Sequence, residues 1–128
     1  VKTARERASF EKVMKNLNRE IEGIRGRTMK GLIRGTIIIR RAMDTGSPLI
    51  PVDTGNLRQS WFVTTLEGNK NKPVLIMGFS ANYATSVHEN VGAHFRRPGA
   101  GAKFFESAIK NNEKEIIAVI KKEAKVRG

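Results

Sequence analysis

Over the first third of the chain, Phe10, Val13, Met14, Leu17, Ile21 and Ile24 recur at three- and four-residue steps. Met29, Leu32, Ile33, Thr36 and Ile37 continue the rhythm. That spacing lays apolar side chains along one stripe of an α-helix, so one long amphipathic helix is predicted from Arg5 to about Met43. Glycines at 23, 26, 31 and 35 each weaken a helix by roughly 1 kcal/mol relative to alanine, so the middle is where it would bend or break. The β-branched run Thr36-Ile37-Ile38-Ile39 leaves a short strand as the alternative for that piece. Unbroken, the stripe would extend over roughly nine turns, more apolar surface than a small sheet and one partner helix readily cover. Leu17 and Ile21 are therefore expected at a contact with another subunit.

From Asp44 to Val52 the pattern stops, and Gly46, Pro48 and Pro51 predict a loop. Trp61 to Leu66 and Pro73 to Phe79 read as strands joined by the turn-forming "EGNKNK", an antiparallel β-hairpin. Ala81 to Glu89 suits a short helix with Tyr83, Ala84 and Val87 on one face and Ser80 as its N-cap. Val91 to Gly101, with Arg96, Arg97 and Pro98 among three glycines, reads as a loop. From Ala102 to about Lys125, Phe105, Ala108, Ile109, Ile116, Val119 and Ile120 form the stripe of a second amphipathic helix. The expected fold is α+β. A long N-terminal helix, an antiparallel hairpin or small sheet, a short helix and a C-terminal amphipathic helix pack together, the helices covering one face of the sheet.

A chain of 128 residues fits one domain with one core, so residues 1 to 128 are read as a single unit. Lysine and arginine total 24 against 12 acidic residues, a net charge of +12, which favours polyanions or an acidic neighbour as partner. The excess is uneven: residues 1 to 44 hold 12 basic and 5 acidic residues. The absence of cysteine excludes disulfides and thiolate metal sites and fits synthesis in a reducing compartment. The N-terminus is charged from its second residue and the apolar runs are short, so neither a signal peptide nor a membrane span is expected.

Asp44-Thr45-Gly46 and Asp53-Thr54-Gly55 both carry the tripeptide that holds the catalytic carboxylate of aspartic proteases. That chemistry needs two carboxylates sharing a proton, brought together from two related lobes or subunits. Two copies nine residues apart in one loop cannot come from equivalent lobes, and a basic helix before them does not suit an all-β protease. The structural reading explains the second copy better. Asp53 or Thr54 caps a short helix whose first turn is Gly55-Asn56-Leu57-Arg58, accepting from unpaired backbone N–H groups at the positive end of the helix dipole. Leu57 and Trp61, four apart, would anchor that turn to the core, with Tyr83 and Phe105 as further anchors.

"PVDTGNLRQSW", a hairpin, and then "GFSANYATSVHENVGAHFRRPGAGAKFFESAI" together resemble the minor capsid or tail-completion protein family of tailed double-stranded-DNA bacteriophages. Pro51, Val52, Asp53, Thr54, Gly55, Leu57, Arg58 and Ser60 match that family's P-V-D-T-G-x-L-x-x-S segment. Tyr83, Ala84, Val87, His88, Glu89 and Gly92 approximate its Y-A-x-x-V-E-x-G segment. Arg97, Pro98, Phe104, Phe105 and Ala108 approximate its R-P-x-F-x-x-A segment, with "GAGAK" inserted. The resemblance spans about residues 5 to 125 and implies a virion component of the neck or tail top, made in the host cytoplasm, that joins head to tail. It implies a homo-oligomeric ring, neighbouring neck, connector, tail-terminator or tail-tube proteins as partners, and double-stranded DNA passing the channel; the long helix and a hairpin edge are the surfaces able to supply the ring's two unlike contact faces.

No cofactor or enzymatic site is expected. His88 and His94 lie six apart, unlike the His-Glu-x-x-His spacing that puts two imidazoles on one helical face. A surface role and a capping or interface role account for them. Arg25, Arg27, Lys30, Arg34, Arg40 and Arg41, with Arg96 and Arg97 in the later loop, are candidates for a DNA channel or for contacts with acidic neighbours. A free basic protein binding nucleic acid without sequence specificity is the alternative function, separable by its salt dependence.

Overall fold

The apolar rhythm of the first third belongs to two helices. In the computed structural model, which describes residues 4–46, 57–66, 72–81, 84, 88 and 103–127, helix α1 runs from Ala4 to Glu22 and helix α2 from Met29 to Thr45. The expectation of a single helix is corrected at the glycines. Gly26 has φ +72°, a left-handed conformation that an L side chain rarely adopts. Thr28 then restarts the chain in an extended conformation, its hydroxyl accepting the Gly31 N–H at 3.0 Å as an N-cap.

This break also corrects the idea of a leftover apolar stripe. Leu17, 2 % exposed, and Ile24, buried, are used inside the subunit, while Ile21 packs on the core but stays half-buried. Thr36 to Ile39 lie within α2 and form no strand. Asp44 and Thr45, expected in a loop, complete the last turn of α2, and Gly46 follows as its C-cap. Asp53, Thr54 and Gly55, expected to cap a short helix, lie outside the described residues. Beyond them Leu57 leads into a 3-10 turn at Arg58–Ser60, where the Ser60 N–H and hydroxyl both donate to the Leu57 carbonyl.

Strands β1 (Trp61–Leu66) and β2 (Val74–Phe79) pair antiparallel, Trp61 opposite Phe79 through to Leu66 opposite Val74. Ala84 and His88 are helical, and Ala81 precedes them outside the helix with its carbonyl accepting the Ala84 N–H at 3.1 Å, while the other residues of the expected short helix, Tyr83 included, lie outside the described residues. Ser80, expected as its cap, donates its N–H to the Ser60 carbonyl at 2.9 Å, with its hydroxyl 3.4 Å from the same oxygen. The C-terminal stripe is divided between helix α3 (Phe104–Asn111) and helix α4 (Glu113–Arg127). Asn112 separates them, its side-chain amide bonded to the Ala108 carbonyl at 2.8 Å, a local bond that competes with helix continuation.

The protein is α+β, its helices packed on a two-stranded antiparallel sheet. Helix α2 lies against α4 at close range because it presents Gly31 and Gly35 there, one turn apart. A Cβ at Gly31 would stand 3.2 Å from Glu123 Cβ, and one at Gly35 3.2 Å from Ile116 Cγ2. Ile39, Met43, Leu57, Phe104, Ile109, Ile116 and Ile120 are the large side chains fully removed from water. An aromatic group closes one end of this core. Trp61 and Phe79, cross-strand partners, meet Phe105 edge-on, and Phe105 in turn meets Phe10 of α1. Such pairs add about 0.5–1.5 kcal/mol beyond their burial.

Candidate interaction surfaces

Four of the charged side chains that stand out in the sequence, Arg34, Arg40, Asp44 and Arg58, are engaged within the subunit. Asp44 sits at the C-terminal end of α2, where a carboxylate opposes the helix dipole. Two guanidinium groups offset that: Arg40 Nε lies 3.0 Å from one carboxylate oxygen and Arg58 Nε 2.9 Å from the other. Arg40 also donates to the Arg58 carbonyl at 3.0 Å, so it fastens α2 to the 3-10 turn. The first Asp-Thr-Gly copy is thus a structural clamp. Arg34 donates at 2.9 Å to Glu123 of α4, whose side chain is only 9 % exposed.

His88 is a capping residue. Its Nε2 accepts the Glu106 N–H at 3.0 Å, supplying to the first turn of α3 the acceptor that Lys103, preceding the helix with φ +62°, does not provide. The ring lies edge-on to Phe10 and Phe104, 7 % exposed. Glu106 is held beside it, its Oε2 accepting from Ser9 at 3.0 Å and its Oε1 3.7 Å from Lys103 Nζ. Oε1 is buried and lacks a hydrogen-bond partner. Among the described residues no cluster has the composition of a metal site. Neither His88 nor Glu106 lines a described cleft.

The remaining basic candidates divide by exposure. Lys30, Arg34 and Arg41 stand on the outer face of α2 with Ile33 and Ile37, which are 38 % and 55 % exposed. Between Arg34, Ile37 and Arg41 on one side and Glu115, Val119 and Lys122 on the other runs an open groove of about 470 Å³. Arg25 is exposed in the α1–α2 connection and Arg27 is half-buried there. Arg96 and Arg97 lie outside the described residues. Of the expected anchors, Leu57 is fully buried, Phe105 is 9 % exposed and Trp61 packs on the core from its edge.

The hairpin, whose edge is expected to supply a contact face, leaves apolar side chains exposed. Leu75, Met77 and Phe79 turn toward the core, so Val74, Ile76 and Gly78 face away, opposite Leu66, Thr64 and Phe62. Phe62 lies across Gly78, 3.5 Å from where a Cβ would stand. Phe62, Leu66, Val74 and Ile76 are 38 to 48 % exposed, and neither strand contains a charged residue. The readable signal is in β2, apolar on both faces, and in β1, uncharged with only Thr64 and Thr65 polar, whereas a strand with a solvated face alternates with polar residues.

An apolar cleft of about 390 Å³ accompanies the sheet. Met14, Leu17 and Ile21 of α1 form one wall, Thr36, Ile39 and Ile116 contribute to it, and consecutive residues from Pro73 to Met77 form the other wall. No helix among the described residues is long and apolar enough to cross a membrane. No protein-family model, curated protein or solved structure matches the chain.

Proposed function

We propose that this chain is a structural protein of a tailed bacteriophage, a subunit of a homo-oligomeric ring at the neck or tail top that joins head to tail, working by shape and contact without catalysis. The observation that carries the reading is the hairpin: two uncharged strands with an apolar outer face, exposed on a chain of net charge +12. Exposed apolar surface of that kind marks a contact surface. It stands beside a chemically different face, the basic outer side of α2. A ring subunit needs two unlike faces, because each meets a different surface of its neighbours.

The resemblance of Pro51–Ser60 and the later segments to tail-completion proteins supplies the place of action. The described part of that first segment agrees with a structural role, since Leu57 is buried, Arg58 holds Asp44 and Ser60 bonds the turn and the sheet end. Particles assembled with Phe62→Asp and Ile76→Asp together should yield full heads and separate tails that fail to join. Particles that join and infect normally, with the protein absent from the neck, would refute the reading.

Free nucleic-acid binding draws on Lys30, Arg34, Arg41 and Lys122, which border one exposed face. The isoleucines among them suit a protein neighbour better than a phosphate backbone. If that second reading holds, affinity for duplex DNA falls steeply and log-linearly with added salt. Contact through apolar surface does not weaken in that way.

A further inference from the structure

The cleft lies along the edge of β2 that β1 leaves free. Five consecutive residues, Pro73 to Met77, line it, whereas no residue of β1 does. A cavity beneath the sheet would be lined by alternate residues of both strands; one beside the sheet meets every residue of the near strand. The hydrogen-bond phase of the hairpin fixes which groups that edge offers. The Ser80 N–H bonds to the Ser60 carbonyl, and in an antiparallel ladder mutually bonded pairs alternate with pairs whose N–H and C=O groups point outward. With Trp61 opposite Phe79, the outward groups are those of Leu75, Met77 and Phe79 on β2 and of Trp61, Val63 and Thr65 on β1.

Among the described residues, each subunit therefore has two open strand edges of different kinds. One, on β2, faces an apolar cleft; the other, on β1, belongs to a strand whose last five residues are all exposed. Folded proteins ordinarily protect such edges with charges, prolines or bulges. Both strands lack charge and proline, and Pro73 stands just before β2. Charge selects the occupant. An acidic partner or DNA would be drawn to Lys30, Arg34 and Arg41 rather than to this cleft, whose lining is mostly apolar and whose two charged residues, Glu22 and Arg27, are of opposite sign. Two copies of a chain carrying +12 repel except where they meet through uncharged surface, and β1 is an uncharged surface of this chain with a free edge.

We propose that the free edge of β2, with the cleft beside it, receives strand β1 of a second copy. The sheet then continues from subunit to subunit, with the added strand covering Met14 and Ile21 of α1. The contact is head-to-tail, since β1 of one copy meets β2 of the next, and repetition leads to a ring or an open filament according to the rotation. This deepens the self-association part of the proposed function and is independent of where in a virion it occurs.

The test is complementation between two edge-blocked chains, followed by sedimentation velocity in a salt concentration that screens the positive charge. Thr65→Pro removes an outward N–H from β1, and Leu75→Pro removes one from β2. Neither takes a bond from the hairpin's own ladder. Wild-type protein should sediment as an oligomer, each variant alone as a monomer, and an equimolar mixture as a dimer, because each chain then lacks a different edge. Ile76→Lys, on an exposed outer position, serves as a second β2 variant if Leu75→Pro fails to fold, judged by circular dichroism and a cooperative melt. A mixture that stays monomeric, a Thr65→Pro chain that still forms wild-type oligomers, or wild-type protein that is monomeric throughout would overturn strand exchange. The particle experiment with Phe62 and Ile76 reads head–tail joining by itself, so the two ideas fail separately.

Discussion

The α2–α4 contact and the β-hairpin are both rich in aliphatic residues, yet they are treated oppositely by the fold. Between the helices, Gly31 and Gly35 let the backbones approach until Ile116 and Ile120 are 1 % exposed, and the one carboxylate drawn in, Glu123, is met by Arg34. In the hairpin, side chains of similar size stay 38 to 48 % exposed and no charge guards either edge. Apolar content alone therefore does not say where a subunit's stability resides. What separates the two regions is closure: the helix pair has its partner within the chain, whereas the hairpin is covered on its inner side, at Leu75, Met77 and the Trp61–Phe79 end, and its outer face, with Phe62, Leu66, Val74 and Ile76, has no partner among the described residues.

The sharpest way to break this contrast is a pair of matched truncations. Ile120→Ala, at a fully buried site, should cost about 2–5 kcal/mol of unfolding free energy, the transfer loss plus the cavity left behind. Ile76→Ala, on the outer sheet face, should cost the monomer about 0.5 kcal/mol or less while weakening self-association. Chemical denaturation of dilute protein measures the first effect and sedimentation the second. Equal losses of monomer stability would show that the hairpin is as closed as the helix pair.

A smaller effect is expected where charge is buried in the helix layer. Arg34→Ala leaves the Glu123 carboxylate without its ion-pair partner and should destabilise by about 1–3 kcal/mol. If Arg34 serves only an external partner, the same substitution leaves the melting temperature unchanged. The smallest change falls at Lys103, whose φ of +62° is strained for a side chain with a Cβ. Lys103→Gly should gain up to about 1 kcal/mol, offset in part by loss of its ion pair with Glu106.

Much of the helical layer was legible in the sequence because its contacts are local and periodic. Phe10 to Ile24 and Met29 to Ile39 carry the three- and four-residue rhythm, and the strands stand out as apolar runs flanking a turn. The gap from Ile24 to Met29 is one residue longer than a helical step, too small a departure to reveal that the helix ends there. The signals were a glycine that accepts a positive φ and a threonine placed three residues before the Gly31 N–H it caps. Asp44 illustrates the other limit. Its bond to Arg40 follows from four-residue spacing on a helix, but Arg58 is fourteen residues away and reaches it only through the fold. In sequence the basic residues form one group, whereas in the fold Arg34 and Arg40 make ion pairs within the subunit, and Lys30 and Arg41 stand exposed on the outer face that Arg34 shares.

The most direct test of the account is hydrogen exchange at single-amide resolution, comparing dilute monomer with assembled protein. Among the strand amides, those of Leu75 and Met77 should exchange quickly in the monomer, because they point away from β1, and slow by at least an order of magnitude on assembly. The α2 amides, already bonded within the helix, should keep the same protection in both states. If the Leu75 and Met77 amides exchange equally fast before and after assembly while the oligomer is intact, the subunits are joined elsewhere, and the division between a closed helical layer and an open, joining hairpin is wrong.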